Sequence, residues 1–108
     1  MKPITNIKTA TKAWEILKKA NLHYFLDNSL LYAVQKLSEL KINISDIISN
    51  LLENGVLVEF LTVITDSKQY IGEDGKSTAW EEVPIQIIGE LITDFFSDFM
   101  SVFKVLKK

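Results

Sequence analysis

Few side chains in this sequence carry the chemistry that catalysis asks for. The one histidine, His23, stands in the apolar stretch "NLHYFL", and there is no cysteine to pair with it. A working general base needs a nucleophile or a metal within reach and surroundings that tune its pKa. An imidazole among leucine, tyrosine and phenylalanine reads instead as a packed or capped side chain. Serine and aspartate are present, but not the G-x-S-x-G elbow that exposes a nucleophilic serine. "GEDGK" (Gly72–Lys76) lacks the G-x-x-x-x-G-K-[ST] spacing of a phosphate loop and is too short for one. Its Glu73-Asp74 pair also lacks the alternating oxygen ligands and distal glutamate of an EF-hand loop. Glu81-Glu82 is better placed to favour the positive end of a following helix than to hold a metal. The expectation is a protein that is not an enzyme, with no cofactor and no metal.

Composition points the same way. At 108 residues the chain reads as one domain, 1–108, large enough for a modest core without disulfides or a metal. Freedom from cysteine fits a reducing cytoplasm. The opening "MKPITNIKTATKAWEILKK" has no apolar run of the kind a secretory signal needs. Hydrophobic residues make up 47% of the chain, more than so small a domain can hide, so an apolar contact surface is expected. Residues 1–54 carry seven lysines against five acids, and residues 55–108 carry five against nine. Every basic residue except His23 is a lysine. Nucleic-acid readers lean on arginine's bidentate fork and on a basic face, so nucleic acid is not an expected partner.

The elements that would position such a surface are helical. "TKAWEILKKA" (11–20) places Trp14, Leu17 and Ala20 on one stripe beside Ala13 and Ile16, with Lys12, Glu15 and Lys19 opposite. In "DNSLLYAVQKLSELK", Asp27, Asn28 and Ser29 offer cap oxygens ahead of a face of Leu30, Leu31, Val34, Leu37 and Leu40. "NISDIISNLLENG" repeats the theme: Asn43 or Ser45 caps, Ile47, Ile48, Leu51 and Leu52 pack, and Gly55 takes a left-handed helix end. "VLVEFLTVITD" (56–66) is β-branched like a strand, yet Glu59, Thr62 and Thr65 recur every three residues. We read it as a helix buried on most sides. In "SKQYIGEDGKSTAW" (67–80) the Asp74-Gly75 pair favours a tight turn. A hairpin of Gln69–Ile71 with Ser77–Trp80 and a plain polar loop are equally consistent with it. The fold expected is all-α: a single bundle of four to five helices, with a polar loop or short hairpin before a long C-terminal amphipathic helix.

That last helix follows Pro84, well placed in a first turn. Ile87, Leu91, Phe95 and Phe99 fall at four-residue steps, with Ile88, Ile92, Phe96 and Met100 alongside and Val102, Phe103 and Leu106 extending the face. Acids come early and Lys104, Lys107 and Lys108 late, matching the helix dipole. About 23 residues would span roughly 35 Å. Glu90, Asp94 and Asp98 nevertheless interrupt the middle, and each would cost about 2.5–3.5 kcal/mol at a bilayer centre. No membrane span is expected, and a flat membrane helix would carry lysine where this one carries acids. Core helix, and core helix plus a partner or self-association surface (a homo-oligomer), both remain open.

The entry Trp80, Glu81, Val83, Pro84 into a helix containing "ITDFFSDF" resembles the tail assembly chaperones of long-tailed phages and prophages. The likeness covers about 30 residues together with size and helical character. It implies a host-cytoplasmic protein that binds the long, helical tape measure protein through apolar helix faces and is absent from the finished virion. By the matching residues, partner contact would fall to Trp80, Phe95, Phe96, Phe99 and, by adjacency, Phe103. The competing reading from another class is a bacteriocin immunity protein, a small cytoplasmic helical bundle acting on a membrane receptor complex. A transcriptional or antitoxin-like regulator comes third, disfavoured by the lack of arginine. The resemblance also implies a longer form made by a −1 ribosomal frameshift near "VLKK". The lysines of "VLKK" read first as a cap of the helix C-terminus and second as the product of an adenine run, the usual slippery site. The coding DNA distinguishes the two, since lysine codons broken by guanines leave only the cap.

Overall fold

A computed structural model of the chain describes residues 2–20 and 37–106, with side chains for 2–20 and 44–98. His23, the Asp27–Ser29 caps and the Leu30–Val34 face lie outside the described residues, as do the side chains of Leu37, Leu40 and Asn43. Four α-helices are present among the described residues: α1 (Ile7–Lys19), α2 (Leu37–Glu53), α3 (Leu57–Thr65) and α4 (Ile85–Leu106). Between α3 and α4 stand an antiparallel pair of two-residue strands, β1 (Tyr70–Ile71) and β2 (Ser77–Thr78), and a 3₁₀ turn at Trp80–Glu82. The bundle and the amphipathic last helix are those the spacing predicts, and of the two readings open for 67–80 the hairpin is the one found.

The helix α1 starts at Ile7, four residues before the predicted one, because the Asn6 side-chain oxygen accepts from the Thr9 amide at 2.9 Å and caps it. Ala10, Ala13, Ile16 and Leu17 are its buried side. The two alanines let its backbone approach its neighbours closely. Ahead of it, Pro3 is buried and the Ile4 amide donates to the carbonyl of Ile64 at 2.6 Å. That bond satisfies a carbonyl left open in the last turn of α3 and ties the N-terminal segment to it.

The expected start at Asn43 or Ser45 is not a start. Helix α2 runs unbroken from Leu37 through both residues to Glu53. A cap is worth about 1 kcal/mol, less than continuing an amphipathic face whose members Ile44, Ile47, Ile48 and Leu51 are all buried. Leu52, expected to pack, is 64% exposed, because it lies on the flank of that stripe and the chain turns away immediately after it.

The turn itself is a Schellman end. The Gly55 amide donates to the Leu52 carbonyl at 3.0 Å and the Val56 amide to the Leu51 carbonyl at 2.9 Å, with Gly55 at φ +69°. Val56 and Leu51 are both buried, which is the apolar contact that accompanies this motif. The following α3 bends away from α2 by 118°. It buries Leu57, Phe60, Leu61, Ile64 and also Thr65. The spacing puts Thr65 with the polar positions of this helix; its hydroxyl is instead satisfied by donating to the Leu61 carbonyl at 2.6 Å, which removes the cost of burying it.

The segment after α3 resolves in favour of the hairpin. Gly75 N–H donates to the Gly72 carbonyl and Gly72 N–H to the Lys76 carbonyl, and Gly75 sits at φ +81°. This is a turn followed by a left-handed glycine, the usual geometry of a short hairpin with a bulge. Asp74 adds a side-chain bond, accepting from the Lys76 amide at 3.0 Å.

Glycines 55 and 89 give opposite predictions. Gly55 has open space where a Cβ would go but a left-handed backbone, so Gly55→Ala is expected to destabilise by about 1 kcal/mol. Gly89 lies inside α4, and a Cβ there would meet the Ile44 Cγ2 at an ordinary 3.9 Å. Gly89→Ala is therefore expected to stabilise by about 0.5–1 kcal/mol. Urea titration of both variants checks the signs.

Candidate functional site

Three of the five residues expected to meet a partner are interior. Trp80, Phe95 and Phe96 are each no more than 2% exposed. Phe60 of α3 meets Phe95 edge-on, with ring centroids 5.7 Å apart, and Phe96 at 6.5 Å, while Phe95 and Phe96 are 5.4 Å from each other. Ile88, Leu91 and Ile92 continue this wedge along α4.

Trp80 plays a different structural part. Its indole N–H donates to the Ser67 carbonyl at 3.3 Å and its ring lies 5.9 Å from that of Tyr70. It pins the hairpin onto the core, and Val83, three residues on, is buried in the same core. The Trp-Glu-x-Val-Pro entry is thus an alternation of inward Trp80 and Val83 with outward Glu81, Glu82 and Pro84. The carbonyl of Pro84 accepts the Ile88 amide at 3.2 Å, so the proline stands at the cap rather than within the first turn. The side chains of Phe99 and Phe103 lie outside the described residues, although α4 carries both as one continuous helix to Leu106.

What the described part of α4 offers outward is a trough against α2. Ile44 and Ile48 of α2 and Ile85 and Gly89 of α4 make its apolar lining, with Glu90 and Asp94 along one side. Ile85 is 63% exposed. The hydroxyl groups of α4 are spent locally: Thr93 donates to the Gly89 carbonyl at 2.7 Å and Ser97 to the Thr93 carbonyl at 3.0 Å. Glu90 and Asp94 form no ion pair among the described residues, where the pairs are Lys18 with Glu15 and Lys19 with Glu59. The trough is therefore an apolar floor with two uncommitted carboxylates. The sequence marks these acids as polar-face residues, but only the fold sets them beside Ile44 and Ile48.

No group of three metal-ligating side chains comes together among the described residues. No single helix among them is long and apolar enough to cross a membrane. The bent pair α2–α3 reaches that apolar length only jointly, and its inward side chains form the chain's own core.

Burial predicts the response to mutation. Phe95→Ala is expected to cost about 3–5 kcal/mol, while Ile85→Ser, on the trough wall, is expected to change stability by less than about 1 kcal/mol. Thermal unfolding of the two variants separates a core position from a surface one. Compared with known proteins, the chain matches no family model, no curated protein and no solved structure. The resemblance to tail assembly chaperones therefore rests on Trp80, Glu81, Val83, Pro84, Phe95, Phe96 and Phe99, with size and helical character.

Proposed function

We propose that this chain is a non-enzymatic assembly chaperone of a long-tailed phage or prophage, acting in the host cytoplasm on the helical tape measure protein. The observation that carries the reading is the continuity of α4. The helix runs without a break to Leu106, so Phe99 and Phe103 continue at four-residue steps from Phe95. The first half of the aromatic stripe closes the core, and the second half supplies the partner face. An amphipathic helix laid against Phe99 and Phe103 would bury two large aromatic side chains, the residue type that dominates binding energy at interfaces. A long, repetitive helical partner offers many such sites, so weak single contacts accumulate into useful retention.

Co-expression with a helical tape measure protein of a long-tailed phage tests this directly. The chain is expected to keep that protein in the soluble fraction and to co-purify with it. Phe99→Asp and Phe103→Asp are each expected to leave helicity intact and to weaken retention about tenfold or more. Unfolding by both variants would place the residues in the core and remove the proposed contact. Co-purification with membrane transporter subunits in place of the tape measure protein would replace the reading with that of a bacteriocin immunity protein.

A further inference from the structure

The charge asymmetry of the two halves is expressed as two surfaces that share no residue. One is the α2–α4 trough, whose lining contains Glu90 and Asp94 and no lysine. The other is a hollow between the N-terminal segment, α1 and α3, lined by Ile4, Lys8, Lys12 and Val63, with Asp66 as its one acid. Each has an exposed apolar shoulder: Ile85 at 63% on the acidic side, and Ile4 at 42% on the basic side. Lys8 and Lys12, like Glu90 and Asp94, form no ion pair among the described residues.

We propose that these two surfaces bind each other between copies of this chain, with the basic edge of α1 seated on the acidic α2–α4 trough of the next copy. The spacing supports the match. Lys8 and Lys12 are four residues apart on α1, and Glu90 and Asp94 are four residues apart on α4. Each pair is therefore separated by about 6 Å along its helix axis. With the two helices parallel, both lysines meet both carboxylates in one register, and Ile4 comes to the Ile85 end of the trough. Gly89, having no Cβ, presents only backbone to the trough beside Ile44.

Two different patches meeting in this way close into a two-fold pair if the geometry returns on itself, and otherwise extend head to tail. The contact is small and its ion pairs are exposed, so it is weak, with a dissociation constant on the order of 0.1 mM. It depends on none of the residues assigned to the tape measure protein, so either proposal can fail without the other.

Sedimentation of the full chain over a concentration series tests the contact. At low salt the average mass is expected to rise above the monomer's 12.3 kDa with concentration, and to fall back toward it at about 0.5 M salt, where exposed charges are screened within a few ångströms. The double variants Glu90→Lys/Asp94→Lys and Lys8→Glu/Lys12→Glu are each expected to weaken self-association about tenfold. Their equimolar mixture is expected to regain it, because each then presents the charge the other lacks. All four positions are exposed, and circular dichroism verifies that the fold is retained. A monomer at every concentration would overturn the proposal, as would association that survives both reversals or a mixture that fails to regain it.

Discussion

The packing of Phe60 against Phe95 and Phe96 is the contact on which the remainder of the fold depends. These three side chains are at most 1% exposed and join a nine-residue helix to the 22-residue one that ends the described chain. A helix as short as α3 is marginal by itself, since nucleation costs more than a few hydrogen bonds return. Burying a phenylalanine contributes about 1.5–3 kcal/mol, and edge-on ring pairs add about 0.5–1.5 kcal/mol each. Tertiary burial, rather than the helix preference of a valine- and threonine-rich segment, keeps α3 helical. The same burial is why a strand-like composition does not become a strand here.

Other elements serve to deliver Phe60 to that place. The Schellman end at Gly55 turns the chain by 118° within a few residues, which carries α3 across the bundle instead of along α2. The Ile4 amide on the Ile64 carbonyl, with Pro3 buried beside it, fixes the far end of α3. Beyond it, Asp66 takes a left-handed conformation at φ +53°, uncommon for a side-chain-bearing residue, and Trp80 draws the hairpin back onto the core. A short helix is thus held at both ends by backbone geometry and in the middle by aromatic contact. Surface ion pairs contribute little to this arrangement: Lys18–Glu15 and Lys19–Glu59 are exposed, with separations of 3.6 and 3.8 Å.

Helical spacing made α1, α3 and α4 legible in the sequence, and Asp74-Gly75 marked a tight turn without deciding between hairpin and loop, because these features are local. What local reading lost were competitions settled by the whole fold. Asn43 and Ser45 look like caps, but an amphipathic face that continues through them outweighs one capping bond. Leu52 and Thr65 exchanged their expected places, since burial depends on where the neighbouring helix lies and not on residue type. At the candidate site the doubled stripe of α4 could be read, but not which part the core takes. Phe95 and Phe96 went to the interior because Phe60 is there to receive them, and no spacing rule within α4 encodes Phe60.

The consequence for interaction is a division of labour along α4. Its inward sector is already satisfied, so a partner that needed Trp80, Phe95 or Phe96 would have to open a core worth several kcal/mol per aromatic side chain before gaining anything. Contact that leaves the fold intact must use other parts of the helix. The sector bearing Ile85, Gly89, Glu90 and Asp94 is one such part, and its carboxylates limit the chemistry of what can settle there. A purely apolar helix would strand Glu90 and Asp94 against hydrocarbon without a partner, whereas a helix with lysines on its flank satisfies them. The acids that make α4 unsuited to a bilayer thus also select a basic, amphipathic neighbour over an apolar one.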